Sequence, residues 1–200
     1  VKRLAGVFLL AWLVMPLAGS GSAADPETLV RNTTDRVLQI LRSDAERIKS
    51  DPAYLYSVVE EIVLPHFDFE EMTRLAVGKH WREATAAQRG PLVEEFKTLL
   101  VRTYSKALQQ YTDQQVEFLP MRGDPARNDV TVRTEIEQPG GFPIPVYYSL
   151  YRADDGWKVY DVVIDNVSLV TNYRSSFAQK IRQDGIDGLL EQLRSRNRSE

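Results

Sequence analysis

Apolar positions recur every three or four residues through the first half of the chain. They alternate with polar ones in the third quarter and return to helical spacing at the end. Thr28–Ile48, with Leu29, Val37, Ile40, Leu41 and Ile48 apolar, predicts a helix. Asp51-Pro52 reads as a second start, an aspartate cap before a proline in the first turn. The stripe Tyr54, Leu55, Val58, Val59, Ile62 and Val63 follows it and ends at Pro65. Asp68 with Glu71 three residues on predicts a third start closed by a capping box, with Phe67 and Met72 as its hydrophobic staple. Leu75, Ala76 and Trp81 come next, then a further cap signal at Thr85 and Gln88. Leu92, Phe96, Leu99, Leu100, Tyr104, Leu108 and Tyr111 then share one broad helical face. Pro91 predicts either a kink near its start or a helix beginning there.

After Thr112 the period falls to two. Val116 and Phe118 open one alternating run, and Val130, Val132, Thr134 and Ile136 form a second. Phe142, Ile144, Val146, Tyr148 and Leu150 form a third, and Pro143 and Pro145 put its start at an edge or in a loop. Gly140-Gly141 after Pro139 reads as a turn, as does Asp154-Asp155-Gly156, which leads into a fourth strand, Trp157–Ile164. Val167, Val170, Tyr173, Phe177 and Ile181 restore helical spacing up to a stop at Asp184-Gly185. Ile186–Leu193 is a short last helix, and Arg194–Glu200 a frayed charged tail. The order predicts an α+β fold, with helices packed on one face of a curved four-stranded antiparallel sheet.

The N-terminus adds a compartment. Lys2 and Arg3 precede the apolar run Leu4–Leu17, and small residues lead to Ala24 and then Asp25. This three-part pattern predicts a signal peptide over residues 1–24, cut after Ala24. The run is short of the roughly 20 residues of a membrane span. Residues 25–200 are then a single domain, long enough for a substantial core. With Lys2 and Arg3 removed, 23 basic residues face 28 acidic ones, a net charge of −5. That balance argues against a nucleic-acid partner, which needs a basic surface. The absence of cysteine rules out disulfides, a thiol nucleophile and a lipid anchor on cysteine.

Catalytic chemistry is poorly supplied. His66 and His80 are the two histidines. No G-x-S-x-G elbow is present, and no H-x-x-x-H pair offers a metal site. Asp68, near His66, already serves as a helix cap. The sequence therefore predicts no catalytic residue, no metal and no cofactor. The apolar and aromatic residues are by default core, since composition does not reveal a pocket.

Several segments together resemble a known family: Pro65-His-Phe-Asp-Phe-Glu-Glu-Met-Thr-Arg74, Gly78-Lys-His-Trp-Arg82 and Glu95–Tyr104. Most specific are Asp155-Gly-Trp-Lys-Val-Tyr-Asp-Val-Val-Ile-Asp165 and Val167-Ser-Leu-Val-Thr-Asn-Tyr-Arg-Ser-Ser-Phe177. They resemble the MlaC, or toluene-tolerance, family of periplasmic phospholipid-binding proteins, over nearly all of residues 25–200. Asn166 departs from the family's usual glycine, but asparagine tolerates the left-handed backbone such a turn needs.

The resemblance implies a Gram-negative periplasm and lipid traffic between two membranes, usually toward the inner one. It implies phospholipid tails held in an apolar cavity between sheet and helices, with the headgroup outside. It implies as partners an inner-membrane ABC transporter with an MCE-domain subunit and an outer-membrane lipoprotein complex. The carrier itself is expected to be a freely diffusing monomer. The expected cavity lining is Val132, Ile144, Val146, Tyr148, Val159 and Ile164 from the strands. Phe67, Met72, Leu75, Leu99, Leu100, Tyr104, Leu108, Val170, Tyr173 and Phe177 complete it from the helices. Val159 and Ile164 have opposite parity, so both face inward only across a bulge. A charge at Val146 or Leu100 is expected to empty the cavity. Arg82, Arg102 and Arg174 are candidates for phosphate at its mouth, with surface ion pairs as the competing reading. An exported hydrolase and a protein-binding adaptor are the rival functions.

Overall fold

The computed structural model describes residues 25–109, 114–124, 128–138 and 140–199. The expected signal peptide, Tyr111, Thr112 and Pro139 lie outside these. Among the described residues the order is α1 (Pro26–Ser43), α2 (Ala45–Ser50), α3 (Pro52–Ile62), α4 (Phe69–Val77), α5 (Ala86–Gln109), β1 (Val116–Asp124), β2 (Asp129–Ile136), β3 (Ile144–Ala153), β4 (Gly156–Ile164), β5 (Val167–Ser168) and α6 (Leu169–Ser199). Short 3-10 turns at Leu64–His66 and Gly78–Arg82 flank α4.

Helix starts follow the capping signals. Asp25 Oδ1 accepts from the Glu27 and Thr28 amides, and Asp51 Oδ1 from the Ala53 amide. Gln88 Oε1 accepts from the Thr85 amide at 3.0 Å. The expected helix over Thr28–Ile48 is two, because Asp44 ends α1 and is held by the Tyr54 hydroxyl of α3. α5 starts at its cap and runs through Pro91, so the helix does not begin at that proline.

The start of α4 departs from the expected capping box. Asp68 Oδ1 accepts from the Glu71 amide at 2.9 Å, but the Glu71 carboxylate pairs with Arg74. The Asp68 amide donates to Val159 O of β4 at 2.9 Å, next to a parallel bridge between Phe67 and Val159. Asp68 Oδ2 accepts from the Tyr151 hydroxyl of β3. The helix start is thus fastened to the sheet, a tertiary arrangement that outweighs the local one.

The sheet is antiparallel in the order β1-β2-β3-β4-β5. It has five strands where the sequence predicts four. Val167, read as helical, pairs with Ile164 after a two-residue turn in which Asp165 and Asn166 have φ of 48° and 64°. Left-handed backbone at both turn positions suits a tight hairpin, and Asn166 adopts the conformation expected of it. Pro143 lies in the β2–β3 connection, whereas Pro145 sits inside β3, a central strand, opposite Glu135. In β4 the pairing steps from Ser149–Asp161 to Leu150–Val159, leaving Tyr160 as the extra residue of a bulge. That bulge lets Val159 and Ile164 face the same side.

The inner face of the sheet packs against α4, α5, α6 and the start of α1, through Val30, in one apolar core. There Phe96 stacks edge-on against Tyr173 and Phe177, each with ring centroids 5.2 Å away. A second cluster joins α1, α2 and α3 through Val37, Leu41, Ile48, Leu55, Val58 and Ile62. α6 starts on a β4 carboxylate: Asp161 Oδ1 accepts from the Val170 amide and Oδ2 from the Ser168 hydroxyl. It breaks at Gly185 (φ 71°), as the stop signal predicts, but then continues to Ser199. The expected frayed tail is therefore helical. Leu193 and Asn197 are buried, and Asn197 Nδ2 donates to Glu95 O and Oε2 at 2.9 and 2.8 Å.

Two consequences are measurable. Asn197→Ala removes those bonds, so chemical denaturation is expected to show a loss of about 1–2 kcal/mol and hydrogen exchange to rise from Arg194 onward. Tyr151 is pushed up to about 12, first by its bond to Asp68 and then by burial. Its protonated form therefore stabilises the fold fully below the ordinary value of 10.0, and that contribution disappears as pH rises to about 12. Tyr151→Phe is expected to cost about 1.5 kcal/mol near neutrality and to flatten the pH dependence of stability in this window.

Candidate functional site

The structure brings most of the expected lining into one place. Met72, Leu99, Leu100, Val132, Val146, Val159, Val170, Tyr173 and Phe177 are all buried in the main core. Phe67, Leu75, Tyr104, Ile144, Tyr148 and Ile164 pack on it half-buried. Leu108 is set apart, packing on the second cluster.

Burial along the strands is uneven. Inward residues lie in rows across the sheet: Val130–Leu150–Val159, then Val132–Tyr148–Val162, then Phe118–Thr134–Val146–Ile164, then Val116–Ile136–Ile144. The first row is almost wholly covered, with Leu150 at 0% exposure and Val130 at 2%. Every residue of the last row is half-exposed. The apolar face is therefore filled at one end and open at the other.

The open end adjoins the second cluster. A groove of about 760 Å³ lies there between α1 and the start of β1. It is lined by Leu38 and Val116 together with the polar Asp35, Gln39, Arg42, Ser43 and Gln115. A second groove of about 380 Å³ runs between α3 and α5, past Leu64 and Val101 and the polar Tyr56, Glu60, Lys97, Thr98 and Arg102. Both follow the seam between the two apolar clusters. Leu38, Val116, Phe118 and Ile136 were missing from the expected lining. Alternation had put the last three on the strands, but nothing in it distinguishes a strand's filled end from its open end.

Polar groups on the inner face are satisfied within the sheet. The buried Thr134 hydroxyl donates to Val146 O at 2.8 Å. Burial pushes the Tyr148 phenol above the usual tyrosine range, while a hydrogen bond with Thr134 acts the other way. Tyr104 is likewise pushed up, first by burial and then by Tyr173.

The candidate arginines have different surroundings. Arg102 donates to Asn197 O, Arg174 lies against Gly78, and Arg82 is exposed on a 3-10 turn. The histidines are also separate. Burial, then Lys158, holds His66 below its ordinary value, and His80 Nδ1 lies 2.8 Å from Glu83 Oε2. Among the described residues no serine hydroxyl bonds either ring, and no cluster of three His, Asp or Glu side chains is placed to hold a metal. No helix among them is long and apolar enough to cross a membrane.

Comparison with known proteins extends this picture. The family model described as "MlaC protein" matches residues 31–195. The intermembrane phospholipid transport system binding protein MlaC of Haemophilus influenzae is 26% identical over 171 residues, 84% of this chain and 80% of that one. The toluene tolerance protein ttg2D of Pseudomonas putida is 28% identical over 182 residues, 90% of this chain and 82% of that one. Among solved structures, a phospholipid-binding protein of Ralstonia solanacearum, in complex with a phospholipid, superposes with a TM-score of 0.82 at 32% identity. The match covers 88% of this chain and 98% of that one. With a family match across most of its length and the same α+β fold in that relative, the chain belongs to the MlaC family.

Proposed function

We propose that this protein is a periplasmic phospholipid carrier whose acyl tails occupy the seam between the sheet's open end and the α1–α3 layer. One observation carries the reading: a sheet face apolar throughout but packed at one end only, in a chain 32% identical to a protein with a phospholipid bound. Residues 1–24 act as the signal peptide, and residues 25–200 are the carrier domain, a monomer. By family resemblance its partners are an outer-membrane lipoprotein complex and an inner-membrane ABC transporter with an MCE-domain subunit, with lipid moving toward the latter.

The physics of the cargo suits such a site. Each methylene leaving water is worth roughly 0.8 kcal/mol, so two tails of about 15 methylenes represent on the order of 24 kcal/mol. A space walled by the half-covered apolar residues of the open end offsets much of this. A bilayer offers the same environment, so exchange is nearly balanced. Its direction then depends on which state of the carrier each partner binds better. No bond is made or broken, and no catalytic residue is needed.

Val146 and Leu100 lie deep in the packed core, so a charge at either is expected to unfold the protein rather than merely empty it. The half-exposed Ile136 and Ile144 are better probes. Native mass spectrometry with lipid extraction should find diacyl phospholipid on the wild-type protein. Ile136→Asp and Ile144→Asp should remain folded by circular dichroism yet lose most of it. A folded Ile144→Asp protein that keeps its phospholipid would show that the tails lie elsewhere.

A further inference from the structure

The described surface leaves two large apolar side chains exposed, Phe142 at 94% and Val167 at 50%. Isolated exposed apolar residues are ordinary, but these two are not scattered. Phe142 lies in the connection between Ile136 of β2 and Ile144 of β3. Val167 pairs with Ile164 just past the β4–β5 turn. Strand direction puts both at one end of the sheet, the end where Val116, Ile136 and Ile144 leave the apolar face half-open. The Phe142 loop is a built one. The Gly141 amide donates to Gln138 O at 3.1 Å, Gly140 has a φ of 74°, and Pro143 restricts the residue before it.

Four carboxylates stand at this end, on the strands and the turn, away from the groove that Arg42 lines. Glu117 and Glu135 stand directly opposite each other across β1 and β2, and Glu137 follows on the same side of its strand. Asp165 sits in the neighbouring hairpin turn. Like charges directly opposed on a sheet cost stability, and none of the four carboxylates has an ion pair among the described residues. Arg133, the base on the same face as Glu135, lies over the Tyr147 ring, 5.1 Å from its centroid. The other opposed pair, Asp124 and Asp129, is relieved: Asp129 accepts from the Tyr160 hydroxyl at 3.2 Å. No such bond reaches Glu117 or Glu135 among the described residues.

An exposed aromatic flanked by unpaired acids is poorly matched to a lipid surface, since anionic headgroups repel it. It matches a protein pocket with an apolar floor and a basic rim, where the ring is buried and the carboxylates find partners. We propose that the β2–β3 hairpin, Phe142 at its tip and Glu117, Glu135 and Glu137 on its flank, docks into an apolar pocket ringed by lysine or arginine on an envelope membrane protein. Docking there sets the open end of the sheet against the partner. The proposal rests on the carrier reading only for placing that partner in a membrane.

The test uses the labelled protein and three targets: native envelope vesicles from its own cell, the same vesicles after protease shaving, and protein-free vesicles with and without anionic phospholipid. Saturable binding is expected to the unshaved native vesicles alone, falling as salt rises. Phe142→Ser, and separately Glu135→Lys with Glu137→Lys, should each weaken it about tenfold without lowering the thermal midpoint. Wild-type affinity in either variant, equal binding to shaved or protein-free vesicles, or no binding at all would overturn the proposal. Lipid extraction from the same preparations tests the carrier reading independently. Lipid-loaded protein without this docking refutes the proposal alone, and lipid-free protein that docks refutes the carrier reading alone.

Discussion

One face of the sheet is apolar from end to end, and it must be kept from water without disulfides to hold its cover in place. The cover is α4, α5, α6 and the start of α1, and it is uneven. Over Val130, Leu150 and Val159 the face is filled, with Phe96, Tyr173 and Phe177 locking α5 to α6 in the same core. Over Val116, Ile136 and Ile144 the same face is only half covered. Filling it there with side chains would gain stability, at roughly 25 cal/mol for each Å² of apolar surface removed from water. The gap is therefore a cost to the empty fold that a bound apolar chain would offset. Ligand binding of this kind stabilises the loaded protein relative to the empty one.

The filled end is held by bonds between elements far apart in sequence. Asp68 joins the start of α4 to both Tyr151 and Val159, Asp161 of β4 caps α6, and Asn197 near the end of α6 reaches Glu95 of α5. Each supplies a partner to a polar group that packing takes out of water, which lowers the penalty of an unmade bond. These ties leave α1–α3 as a separate apolar cluster against the open end, with both grooves along the seam.

Specificity in such a site comes from shape and from the absence of unpaired polar groups rather than from a set of contacts. Thr134 and Tyr148, the hydroxyls on the inner face, bond within the sheet and leave the rest of that face apolar. Of the three candidate arginines, Arg102 is engaged by Asn197 O, and Arg174 lies against Gly78 of the 3-10 turn that ends at Arg82.

Much of this was determined locally and could be read from the chain. The caps Asp51, Asp68 and Thr85, the alternation in β2, the stop at Gly185 and the parity conflict that required a bulge in β4 are all short-range facts of backbone chemistry. So was the shared apolar character of most of the expected lining. Other features were decided only by packing. Val167 joined a strand because the Asp165-Asn166 turn returned it to β4, and the tail past Arg194 stayed helical because Glu95 was there to meet Asn197. Periodicity says which face a residue takes, but burial depends on what arrives opposite. For that reason the chain by itself gave one apolar surface, and only the tertiary structure divided it into a packed core and an open end.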